Sequence, residues 1–218
     1  MFPALPPMLQ RHPSLHTADG EVRNAAWLEL FFDLVFVLAV SQSAEYLRAH
    51  LSVGGFISFV GLFICVWWTW IGFSFYADQF DPDDVIYRLA MFAASLLSIM
   101  LAVNIRGALE ENVVGFVLSY AALQFLLTAL YWWGRRDKHA RMFSTQFSIG
   151  FAIATLLWIA SLWIPTPFRY VIWTLALLIE IFTPVIVAFN FKAKPHYVSH
   201  IPERLGLFTL IVLGESIS

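Results

Sequence analysis

Residues 27–40 read WLELFFDLVFVLAV. Ten of the fourteen are Leu, Phe or Val, yet Glu29 and Asp33 stand among them. An Asp near the centre of a membrane helix costs about 2.5–3.5 kcal/mol, and each Leu, Phe or Val returns about 0.3–0.6. Ten such residues together offset one deep acid, by roughly 3–6 kcal/mol. The segment therefore reads as a membrane span that carries two carboxylates. Four residues apart on a helix, they share one face. Glu29 lies near the end of the span and reaches water, whereas Asp33 is deeper and must face protein or a wet cavity.

The rest of the chain repeats the pattern. Of its 218 residues 60% are hydrophobic and 13% charged, with mean hydropathy +0.73. Soluble domains hold about 25% charged residues, so the chain is expected to be an all-α, polytopic helical membrane protein. Six apolar stretches reach the roughly 20 residues that a span needs: 27–46, 56–76, 85–105, 113–133, 143–164 and 170–191. Breakers separate them: Gly54-Gly55, Asp81-Pro82-Asp83-Asp84, Arg135-Arg136-Asp137-Lys138 and Pro165-Thr166-Pro167. A seventh span begins near Glu203 and stops at Ser218. It would reach roughly 24 Å, short of a ~30 Å core, so the expectation is a truncated seventh helix in a fragment of a longer protein. Residues 1–26 hold four prolines and no apolar stretch suited to a signal peptide, and read as a disordered cytoplasmic tail before a 27–218 transmembrane domain. One cysteine, Cys65, excludes an intrachain disulfide.

Basic residues set the orientation. Arg11, Arg23, Arg88, Arg135, Arg136, Lys138, Arg141, Lys192, Lys194 and Arg204 fall on the amino-terminal side of the spans. Arg48, Arg106 and Arg169 fall on the other. Ten against three predicts a cytoplasmic amino terminus. Tyr131, Trp132 and Trp133 precede the basic loop as an interfacial aromatic belt would.

The remaining polar residues have competing readings. Asp81 fits an N-cap, Pro82 the first helical position, and Asp83 and Asp84 the positive end of a helix, with Asp84 and Arg88 an i,i+4 pair. A cation-attracting vestibule is the functional alternative. Glu180 lies mid-span, and Pro184 four residues later removes the donor for its carbonyl. Interrupted helices of this kind coordinate ions in transporters, while a plain kink beside a hydrogen-bonded Glu is the structural alternative. Glu203 and Arg204 read as an interfacial cap and anchor, and Glu215 as the deeper candidate. Glu29 and Asp33 either line an ion or proton path or tether the helix by pairing with Arg23 or Arg88. Trp67, Trp68 and Trp70 read as packing and lipid-facing bulk.

No span holds a Lys for a Schiff base or a His for haem. HExxH, GxSxG and P-loop patterns are absent, so no cofactor, metal or catalytic residue is implied. Nothing points to nucleic acid. The expected partners are the lipid bilayer, a cation or proton as substrate, and further copies in a homo-oligomer.

Three stretches carry a resemblance. WLELFFDLVFVLAVSQ at 27–42, WWTW at 67–70 with FDPDDVIYRL at 80–89, and HIPERLGLFTLIVLGESI at 200–217, together with Glu180 and Pro184, resemble the bacterial low-temperature-requirement protein A family. The resemblance implies a multi-pass bacterial inner-membrane protein longer than this chain, and it supplies no catalytic residues. A fainter similarity, on Arg23, Phe32 and Asp33, is to lysosomal potassium channels whose first helix bears Arg…Phe-Ser-Asp. Phe stands here where Ser would. Together these point to an ion- or proton-coupled transporter or channel with Glu29, Asp33, Glu180 and Glu215 along one polar seam. A non-catalytic membrane scaffold or stress-adaptation protein is the alternative, and an intramembrane enzyme a third reading.

Overall fold

The computed structural model describes residues 27–80, 85–110 and 113–191 and, in the seventh apolar segment, 204–206, 208–210 and 212–213. The expected tail at 1–26 lies outside them. Six helices follow in order: α1 Trp27–Ala49, α2 Val53–Phe80, α3 Val85–Ile105, α4 Val113–Gly134, α5 Arg141–Ala160, extended by a 3-10 turn Ser161–Trp163, and α6 Phe168–Phe191. All six are long and apolar enough to cross a membrane. The described residues of the seventh segment are helical as well.

The observed ends follow from local chemistry. Gly54 and Gly55, read from the sequence as a break, lie inside the first turn of α2. Ser52 caps that turn: its Oγ accepts the Gly55 N–H at 3.0 Å and its carbonyl accepts the Phe56 N–H at 2.9 Å. The 28 residues of α2 reach roughly 42 Å, so it must tilt or project beyond a ~30 Å core. Pro184 sits within α6, which continues through it to Phe191.

Packing joins α1 to both α2 and α3, and α4 to both as well. The first four helices thus close a ring, and α5 packs on α4 and α6 on α5. Close approaches rest on small residues. A Cβ at Gly72 of α2 would come within 2.6 Å of Leu127 in α4, and one at Gly150 of α5 would collide with the Thr183 hydroxyl of α6. An aromatic cluster fills the end of the ring where α2 stops: Tyr76 meets Tyr131 edge-on at 5.2 Å, and Tyr131 stacks on Phe147 at 4.7 Å. Outward faces are apolar, as hydrocarbon requires. Only 28% of the most apolar stretch of α6 is buried.

Most hydroxyls inside the bundle are already satisfied. Ser43, Thr69, Ser95, Ser98, Thr155 and Thr183 each donate to the carbonyl four residues back. With no water in hydrocarbon this internal bonding is the cheapest outcome. It leaves the carboxylates as the main polar groups that reach between helices.

Candidate functional site

The first carboxylate centre is built on α1. Leu30, Leu34 and Leu38 face outward, while Glu29, Phe32, Asp33 and Phe36 are buried. The helical face that carries the acids is therefore the face that packs. Asp33 Oδ1 accepts two short bonds, from Trp70 Nε1 of α2 at 2.7 Å and from Arg204 Nη2 of the seventh segment at 2.8 Å. Arg204 Nη1 lies 3.5 Å from Glu29 Oε2. All three charged side chains are 6–7% exposed. The Arg204 guanidinium also lies 5.9 Å from the centre of the Trp70 ring, and Phe208, one turn on from Arg204, stacks on that ring at 4.4 Å. One face of the seventh segment is thus held by α1 and α2 together.

This arrangement corrects two expectations. Arg204 is not an interfacial anchor but a buried counter-ion, and Glu29 is buried beside this basic partner rather than reaching water. The partner is distant in sequence, so spacing could not reveal it. Trp70 is likewise more than bulk: it is fully buried and bonded to Asp33, while Trp67 and Trp68 are half-buried.

The second centre is at Glu180, which is fully buried in the middle of α6. Its Oε2 accepts from Tyr120 Oη at 2.6 Å and from Gln124 Nε2 at 2.9 Å, both of α4. Its Oε1 accepts one longer bond, 3.2 Å, from Trp158 Nε1 of α5. Gln124 Nε2 also lies 2.9 Å from Tyr120 Oη, so the three side chains form a closed triangle. Gln124 Oε1, on the far side of the same amide, is buried and has no hydrogen-bond partner among the described residues. No Lys, Arg or His pairs with Glu180 among the described residues. Its three donors among the described residues are neutral.

Sequence reasoning missed Tyr120, Gln124 and Trp158. A signal existed for two of them. Tyr120 and Gln124 stand one turn apart in a span without charged residues, on one face, as Glu29 and Asp33 do. Trp158 gave none, because a Trp in a span reads equally as lipid-facing bulk.

The centres rest on different helices: α1, α2 and the seventh segment for one, α4, α5 and α6 for the other. The structure brings Glu29 and Asp33 together on Arg204, while Glu180 bonds to Tyr120, Gln124 and Trp158. Arg88 is exposed on the first turn of α3, and Pro184 lies one turn beyond Glu180 in α6. Asp81, Asp83, Asp84, Glu203 and Glu215 lie outside the described residues. Among the described residues no group of His, Cys, Asp and Glu is placed to hold a metal ion.

The family model for the bacterial low temperature requirement A protein, LtrA, matches residues 24–218. The chain belongs to the LtrA family. Among curated proteins it is similar to an uncharacterized protein of Rhizobium meliloti (strain 1021), with 31% identity over 212 residues. That match takes in 93% of this chain and 52% of the relative, so the chain spans about half the length of the curated relative it matches. No solved structure matches it. The six apolar helices and the family agree on a membrane protein. The match includes both centres: Glu29, Asp33, Glu180 and Arg204 all fall within 24–218.

Proposed function

We propose that this LtrA protein is an ion- or proton-coupled transporter or channel, and that Glu180 is the group that takes up and releases the proton or cation. One observation carries the reading. Among the described residues Glu180 is fully buried at mid-span and bonded only to neutral donors, one of which has an unpartnered amide oxygen. An uncompensated carboxylate away from water is costly. A proton on Oε1, the oxygen with a single long bond, would relieve that cost, as would a cation held by Glu180 and Gln124 Oε1 once the amide turns to face it. The full-length protein in liposomes loaded with a pH- or cation-sensitive dye tests it. Flux above that of empty liposomes, lost in Glu180→Gln, is expected. Absence of flux in the unaltered protein overturns the proposal.

A second reading is a membrane scaffold in which the acids only join helices. The closed Asp33–Arg204 pair favours it, because a carboxylate bonded to both an arginine and an indole has little left to offer an ion. Under this reading no flux exists to lose.

The location proposed is a bacterial inner membrane with the amino terminus in the cytoplasm. Its support is the charge at the two ends of the bundle. At the end where α1 finishes, Arg48 and Arg106 lie 2.8 and 4.0 Å from Glu45. At the end where α1 begins, Arg135, Arg136 and Arg141 pair with no carboxylate among the described residues. With Arg88 and Lys138 they put five basic side chains at that end, against Arg48, Arg106 and Arg169 at the other.

A further inference from the structure

Arg135, Arg136 and Arg141 converge. With Trp132 and Trp133 they line an open-sided cavity of about 260 Å³ between the end of α4 and the start of α5. The Arg135 guanidinium lies over the Trp132 ring, 3.7 Å from its centre, and that of Arg136 over Trp133 at 3.5 Å. A stacked guanidinium keeps its N–H groups in the plane, pointing away from the ring axis, where they match the oxygens of a phosphate. Stacking on a rigid indole also fixes the long side chain in advance and lowers the entropy lost on binding. Asp137, the acid of the same loop, accepts the His139 backbone N–H at 2.8 Å and does not line the cavity. Ala140, which caps α5 beside Arg141, brings no side-chain acceptor. The loop thus gathers three cations and supplies no anion of its own to the cavity.

The depth of the cavity selects the occupant. α4 is 22 residues, roughly 33 Å, and carries no charged residue. Its last turn, which carries Trp132 and Trp133, therefore lies at headgroup level, where tryptophans of spanning helices concentrate. The volume is more than ten times the 10–15 Å³ or so that one water needs, which leaves room for a phosphodiester.

We infer that the Trp132–Trp133–Arg135–Arg136–Arg141 cavity is a binding site for the phosphate headgroup of an anionic phospholipid. The site is separate from both carboxylate centres and does not depend on transport. The full chain in detergent, examined by native mass spectrometry with phosphatidylglycerol or phosphatidylcholine added, tests it. Unaltered protein is expected to retain phosphatidylglycerol in preference to phosphatidylcholine. The triple variant R135Q/R136Q/R141Q should bind phosphatidylglycerol more weakly by on the order of a hundredfold. The triple lysine variant, which keeps charge without the planar fork, should fall between the two. Absence of preference in the unaltered protein overturns the inference whatever the variants do. Equal retention by the glutamine variant with unchanged helix content also overturns it. Displacement of the lipid by inorganic phosphate at equal concentration would make this a free-phosphate site and overturn the lipid assignment.

Discussion

Asp33 of α1 and Arg204 of the seventh segment, 171 residues apart, are joined by a 2.8 Å charge-assisted hydrogen bond in a site closed to solvent. Breaking such a pair from one side strands a buried charge, at about 3–5 kcal/mol. Arg204→Met leaves both Asp33 and Glu29 without this cation and should fall in that range, measured by denaturation in detergent. Asp33→Asn should cost less, because Glu29 still faces the guanidinium at 3.5 Å. The double variant should lose less than the sum of the two. A strictly additive result would show that the pair is not coupled.

Trp70 separates two contributions at the same place. Trp70→Phe keeps a ring against Phe208 but removes the indole N–H from Asp33. A hydrogen bond to a charged group contributes about 1.5–3 kcal/mol, so a loss of that size is expected. Trp70→Ala should lose about 3–5 kcal/mol, because the stacked ring and its packing go as well. Equal losses for Phe and Ala would assign the whole effect to the indole N–H.

These residues also mark how far the sequence could be read. Span count, helix type and the burial of the acidic face of α1 follow from local hydropathy, which lipid makes nearly decisive. Ser52 as a cap, and therefore the early start of α2 across Gly54-Gly55, was open to a local argument that weighed the glycines too heavily. The partner of Asp33 was not, since nothing within α1 specifies which later helix returns beside it. The triangle at Glu180 is intermediate. Its α4 members are visible as a polar pair in an apolar span, but their target on α6 is set by how three helices meet.

Gly150 tests the packing that holds α6 in place. A methyl at this position would run into the Thr183 hydroxyl, which is itself bonded to the Ile179 carbonyl. Forcing extra volume into such a contact costs about 1–3 kcal/mol. Gly150→Ala should destabilise by that amount, and Thr183→Ala in the same chain should recover most of it by clearing the space. The same Gly150→Ala change should lower any activity that requires Glu180 to stay on Tyr120, because α5 and α6 separate together. Thermal unfolding of the two variants checks the first part. A Gly150→Ala protein as stable as the unaltered one would mean that the helices part freely here.

The Glu180 triangle predicts an order of effects. Tyr120 Oη donates the shortest bond to Glu180 and also lies within hydrogen-bond distance of the Gln124 amide. Tyr120→Phe therefore removes two bonds and leaves the Gln124 amide with Glu180 alone. Trp158→Phe removes only the 3.2 Å bond to Oε1. Tyr120→Phe should be the more destabilising, with the two separated by about 1 kcal/mol, the net worth of one hydrogen bond. Glu180→Gln must place an amide NH2 against one donor. Turning it towards Trp158 sacrifices only that long bond, so the variant should fold with a loss of about 1–3 kcal/mol and without a charge to exchange. If Glu180 carries the transported proton or cation, flux then vanishes in a protein that is still assembled, whereas Trp158→Phe retains it. Flux that survives Glu180→Gln would remove this residue from the transport step and leave the triangle as a joint between α4, α5 and α6.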